Sequence, residues 1–90
     1  MGDYNQAIQL NPQYGLAYRN RGNVKRTKGD FDGAIADFNR AIALNPNYAI
    51  AYRNRGLAKQ KKGDNDGAIA DFNRAIKLGP QREDVEMTPD

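Results

Sequence analysis

Ninety residues, 39% of them apolar and with a mean hydropathy of −0.89, make one small domain with a limited core, and no apolar run approaches the roughly 20 residues of a membrane-spanning helix. The absence of Cys and His excludes disulfides, thiolate nucleophiles, thiol-ligated zinc and the usual proton shuttle near neutral pH. The net charge of +3 hides a segregation: residues 15–78 hold thirteen Lys or Arg against six Asp, whereas residues 79–90 set Arg82 against Glu83, Asp84, Glu86 and Asp90.

Met1-Gly2 runs directly into helix-like sequence with no charged-then-apolar leader, so the cytoplasm is the expected setting. Residues 3–10 place Tyr4, Ala7 and Ile8 on one helical face, and Asn11-Pro12 ends that helix, because a residue before proline avoids the helical region. A second helix is expected over 15–28, with Gly22 allowing close approach of a neighbour and Gly29 as a left-handed stop. Asp30 and Asp32 then offer caps for a helix over 32–44, whose apolar face is Ala34, Ile35, Phe38, Ala41 and Ile42. Helices over 49–62 and 66–78 follow the same plan, with Asn65 where Phe31 stood, so that an apolar contact at that turn is lost. Gly79-Pro80 stops the last helix, and residues 81–90 read as an acidic tail, either mobile or docked in its own or a neighbour's groove.

The plan recurs because the sequence does. Residues 17–46 read AYRNRGNVKRTKGDFDGAIADFNRAIALNP and residues 51–80 read AYRNRGLAKQKKGDNDGAIADFNRAIKLGP, offset by 34 throughout. A period near 34 is that of a helix-turn-helix repeat. Asp3 to Ile8 with Leu10-Asn11-Pro12 is a third, partial copy of the unit's end. The division is thus a partial repeat at 1–14, full units at 15–48 and 49–80, and a tail at 81–90.

Tyr18, Gly22, Gly29, Asp30, Phe31, Ala34, Phe38, Ala41 and Pro46, with Tyr52, Gly56, Gly63, Asp64, Ala68, Phe72, Ala75 and Pro80, give the chain its resemblance to the tetratricopeptide repeat family. The resemblance spans about residues 3–80. It implies an all-α, right-handed solenoid of antiparallel helix pairs, about two and a half repeats long. It also implies binding of a protein or peptide partner on a concave groove, without catalysis or a cofactor. One departure stands out. The family usually places an aliphatic residue before the helix glycine and an aromatic three residues after it, where this chain has Arg21 and Lys25, then Arg55 and Lys59. Asp3, Asp37 and Asp71 recur at one place on the second helices, so Arg21 and Arg55 are expected to form partly buried bridges to this set.

Helix 15–28 carries Arg19, Arg21, Lys25, Arg26 and Lys28 and no acid; helix 49–62 carries Arg53, Arg55, Lys59, Lys61 and Lys62 and no acid. The resemblance implies that these first helices line the groove, so an acidic or carboxylate-terminated segment is the expected cargo. The inward stripes are Leu16, Arg19, Asn20, Asn23, Arg26 and Thr27, and Ile50, Arg53, Asn54, Leu57, Gln60 and Lys61. Of these, Arg19, Asn20, Asn23, Arg26, Arg53, Asn54, Leu57 and Lys61 are the candidate peptide- and anion-binding residues: Asn both donates and accepts, and Arg grips a carboxylate with two hydrogen bonds. Arg19, Asn23 and Asn54 also resemble elements of a clamp that some family members use for C-terminal carboxylates. The clamp's third helix is absent from this chain unless a neighbouring molecule supplies it, and a merely solvated polar face is the alternative.

A second reading is self-association. Tyr4 and Ile8 at the start, with Phe72 and Ile76 at the finish, leave apolar faces that a second molecule stacked end to end would cover. Asp30-Phe31-Asp32-Gly33 and Asp64-Asn65-Asp66-Gly67 resemble the start of a calcium loop, but Ala41 and Ala75 occupy the twelfth place, where that loop needs an acid, so these are turns and caps. No nucleophile–base pair and no phosphate-cradling loop is present, and enzyme activity is not expected. Nucleic acid is a poor candidate partner for this basic chain, because Tyr18, Phe38, Tyr52 and Phe72 are needed for packing.

Overall fold

The computed structural model describes residues 15–79, which form four helices and, among the described residues, no strand. They are α1 (Gly15–Thr27), α2 (Phe31–Leu44), α3 (Ala49–Lys62) and α4 (Asn65–Leu78). The helix expected at 3–10, with Tyr4 and Ile8, and the tail at 81–90 lie outside the described residues.

The breaks between helices follow from local chemistry that recurs in both pairs. Gly29 and Gly63 sit at φ +90° and +100°, a conformation that costs glycine little and other residues more. Gly29 N–H donates to Arg26 O (3.1 Å) and Asp30 N–H to Lys25 O (2.9 Å), closing the end of α1; Gly63 and Asp64 repeat this on Gln60 O and Lys59 O (3.1 and 2.8 Å). Asp30 and Asp64 then cap α2 and α4, each carboxylate accepting from the N–H three residues on, Gly33 and Gly67 (3.0 and 2.9 Å).

Within each pair the helices run antiparallel, as the order of their contacts shows. Gly15 faces Ala41 and Leu44, whereas Gly22 faces Asp37 and Phe38. The second pair repeats the Gly22 contact with Gly56 on Phe72. A methyl group on Gly22 would lie 2.7 Å from Phe38 Cε1, and one on Gly56 would lie 2.7 Å from Phe72 Cε1, so the bare backbone is what lets each pair close up. The expected bridges form and are bidentate. Arg21 Nε and Nη2 donate to Asp37 at 2.9 and 2.7 Å, and Arg55 Nε and Nη2 to Asp71 at 2.9 and 2.7 Å.

The lysines do more than cover apolar surface with their stems. Lys25 Nζ and Lys59 Nζ reach the same two buried carboxylates at 3.2 and 3.1 Å. Each of these aspartates therefore meets two cations from the facing helix, which is how a charge can be buried in so thin a domain. Tyr18 and Tyr52 lie beneath these arginines, with Arg21 5.7 Å and Arg55 5.4 Å from the ring centres.

The two pairs stack through α2 and α3. Tyr48, Ile50 and Ala51 pack with Ala41, joined by Tyr18 and Ile42; Ala58 packs with Ala34 and Phe38, joined by Phe31 and Ile35. Two polar links fix the register: Arg55 Nη1 donates to Asn39 Oδ1 at 2.9 Å, and Lys62 pairs with Asp32. α3 thus covers the apolar face of α2. Nothing among the described residues covers α4 in the same way, and Ile69 and Ile76 stand 57% and 77% exposed.

Candidate functional site

A groove of about 590 Å³ opens where three helices meet. One wall is α1, contributing Arg19, Asn23 and Arg26; the floor is α3, contributing Ile50, Arg53, Asn54 and Leu57; the other wall is α4, contributing Phe72, Ala75 and Ile76. The groove is therefore two-sided in chemistry: cationic and amide-bearing on α1, wholly apolar on α4, and mixed along α3.

Six of the eight candidate peptide-binding residues come together here: Arg19, Asn23, Arg26, Arg53, Asn54 and Leu57. Asn20 and Lys61 do not line the groove; Asn20 is half-buried on α1 and Lys61 is exposed near the end of α3. Ile50, from the wider inward stripe, joins the floor. Phe72 and Ile76, expected on a separate end face for self-association, line the same groove, so the two expected surfaces share a wall. Ile69 was missed as an exposed apolar residue of α4, although its spacing from Phe72 and Ile76 is helical and could have shown it.

The polar groups are arranged by their neighbours. Asn23 Oδ1 accepts from Arg26 Nε and Nη2 at 3.1 and 2.7 Å, so this amide steadies a guanidinium at the groove wall. Arg19 Nε points at Tyr48 Oη across a long 3.4 Å. Asn54 differs from both. It is 95% buried yet faces the groove, and its side-chain amide makes no hydrogen bond among the described residues. A buried amide without partners costs about 1–3 kcal/mol, which a ligand offering a donor and an acceptor would offset.

Arg21 and Arg55 sit apart from this surface. Their hydrogen bonds to Asp37 and Asp71 raise both guanidinium pKa values against the opposing effect of burial. Both join the helices of their own pair, and Arg55 also reaches Asn39 of the preceding pair. Among the described residues no cluster of His, Cys, Asp and Glu could hold a metal ion, and no helix is long and apolar enough to cross a membrane.

Comparison with known proteins agrees with this architecture. A family model described as TPR repeat matches residues 22–63, and one described as Tetratricopeptide repeat matches residues 49–82. Two solved structures titled as crystal structures of MamA superpose with TM-scores of 0.79 and 0.78 at 32% and 31% identity, covering 94% and 97% of this chain. The chain spans about half, 48%, of the length of those two chains. No curated protein sequence matches. Both repeat models fall on the stretch in which glycine stops, aspartate caps and arginine bridges recur in step, and the chain belongs to the tetratricopeptide repeat family, whose repeats form protein–protein interaction modules.

Proposed function

We propose that the groove between α1, α3 and α4 holds an extended, acidic segment of a partner protein. The observation that carries this reading is the convergence of Arg19, Arg26 and Arg53 on one groove beside the buried amide of Asn54, which has no hydrogen-bond partner among the described residues. The arginines would draw in and grip carboxylates, and Asn54 would pair with the backbone of the bound segment. A carboxylate terminus fits the same groups, with Arg19, Asn23 and Asn54 as its contacts. The apolar wall of Phe72 and Ile76 would take a side chain adjacent to the acids.

A peptide array of acidic and neutral sequences read against the chain and its Arg19→Ala/Arg53→Ala variant tests this. Loss of two carboxylate-gripping guanidiniums should weaken acidic peptides by at least about tenfold and flatten the dependence on salt. Unchanged affinity would reject the reading.

A second reading is favoured by a separate observation: Ile69 and Ile76 are exposed on α4, although their counterparts Ile35 and Ile42 are packed under α3. A second molecule could cover that face by stacking end to end. A mass in solution that stays monomeric at high concentration would reject it.

A further inference from the structure

We infer that the outer face of α4 docks an α-helix of a partner protein, and that this helix presents to α4 what α3 presents to α2. The inference goes beyond the acidic segment of the groove and does not rest on it. Residues 32–42 and 66–76 share one sequence, DGAIADFNRAI, and both stretches are helical. α2 thus shows which chemistry fits the face that α4 leaves open. Ile35, Phe38 and Ile42 are packed under α3, whereas Ile69 and Ile76 are exposed and Phe72 is half-buried.

The covering helix can be described residue by residue. Tyr48, Ala51, Arg55, Ala58 and Lys62 follow one another at alternating helical spacings and so form one stripe along α3. Tyr48 and Ala51 pack with Ala41, and Ala58 packs with Ala34 and Phe38. Arg55 donates to Asn39, and Lys62 pairs with Asp32. Each of these α2 partners has its copy on α4, as Ala75, Ala68, Phe72, Asn73 and Asp66. Asn73 and Asp66 are exposed, and among the described residues neither side chain makes a hydrogen bond or an ion pair. The helix that fits therefore reads Ala-x-x-x-Arg-x-x-Ala-x-x-x-Lys along one face.

Affinity and register would come from different residues. Removing Ile69 and Ile76 from water supplies the attraction. An exposed lysine–aspartate pair adds little energy, but with the arginine–asparagine bond it allows one register and one direction along α4. A second copy supplies no equal helix: its α3 is covered by its own α2, and its α1 carries Val24 where α3 has Ala58. A separate protein can carry the whole stripe. Phe72 and Ile76 also line the groove, so the docked helix would border it as a further wall.

The test uses the full chain and, as probe, a labelled peptide with the sequence of residues 48–62 carrying Gly56→Ala. A methyl group on Gly56 would lie 2.7 Å from Phe72 Cε1 in its own pair, so the substitution keeps the peptide out of the place of α3 while favouring its helix. The peptide should bind and move the methyl resonances of Ile76 and of Ile69, which does not line the groove. A scrambled peptide of the same composition should bind at least about tenfold more weakly. Asp66→Lys in the chain should weaken the peptide about threefold, and Lys62→Asp in the peptide should restore it. Equal binding of the scrambled peptide, an unmoved Ile69 or a failed rescue would overturn the inference. So would no binding by a peptide held helical through a cross-link between positions 53 and 57, on the side away from the stripe. An Ile69 resonance that already varies with the concentration of the chain alone would give the face to a second copy and overturn the assignment to another protein.

Discussion

Residues 33–42 and 67–76 are the same ten amino acids, GAIADFNRAI, in the same helical conformation, and their surroundings differ. Phe38 is completely buried, whereas Phe72 is half-buried; Ile42 is packed into a core cluster, whereas Ile76 is 77% exposed. Inside each segment the two copies agree: Asp37 and Asp71 hold the same arginine and lysine partners, and Gly33 and Gly67 meet the same caps. The contrast teaches where each property originates. Contacts within a helix pair come from the pair's own sequence. Burial of the second helix's outer face comes from the next helix along, as expected of a structure held together by nearest neighbours. In this chain that uncovered face becomes a wall of the groove.

The sharpest way to break the comparison is to truncate the same residue in both copies. Phe38→Ala empties a site enclosed by Ala34, Ala58 and Gly22 and should cost about 3–5 kcal/mol, enough to unfold so small a domain. Phe72→Ala removes a side chain that already meets water and should cost about 1–2 kcal/mol. Urea midpoints of the two variants check this. Equal losses would mean that something covers α4 as fully as α3 covers α2.

The bridges should distinguish the copies less. Arg55 holds Asp71 within its pair and Asn39 in the preceding one. Arg55→Lys keeps the charge but loses the fork and the link between pairs, and should cost about 1–2 kcal/mol. The sign of any pH effect follows from the raised pKa of Arg55, caused first by its hydrogen bond to Asp71. A basic group raised on folding stabilises fully below its unfolded value, and that stability is lost only as pH climbs through the raised one. Both values lie far above neutrality, so the cost of Arg55→Lys should stay constant from about pH 6 to about pH 9. A cost that varies across that window, read from denaturation at several pH values, would show that the bridge is not the cause.

What the sequence disclosed follows the same division. Helix bounds fell within about one residue of those observed, because Gly29, Gly63, Asp30 and Asp64 act through their own backbone neighbours. The Arg21–Asp37 and Arg55–Asp71 bridges were legible because both partners lie in one pair at a repeating offset. The merging of the end face with the groove was not legible. It depends on the angle at which one pair sits on the next, which brings Arg19, Asn23 and Arg26 of α1 to the same groove as Phe72 and Ile76 of α4, and no spacing within a unit encodes that angle. The burial of Asn54 and the placement of Asn20 and Lys61 off the groove turn on the same angle, as do the links from Arg55 to Asn39 and from Lys62 to Asp32.

The caps should not distinguish the copies at all, and this makes them the control. Asp30 and Asp64 have nearly identical backbone angles, φ −86° and −85°, and each accepts from a single glycine N–H. Each side chain also places a negative charge at the positive end of its helix. Asp30→Ala and Asp64→Ala should therefore each cost about 1 kcal/mol, with Asp→Asn restoring most of it, since Asn accepts the same hydrogen bond. Phe31 follows the first cap and packs on the core, whereas Asn65 follows the second and is exposed. If that packed ring propagates the loss of its cap, Asp30→Ala will cost clearly more than Asp64→Ala in matched urea titrations. The separation between properties of a pair and properties of its neighbour would then fail at its most local point.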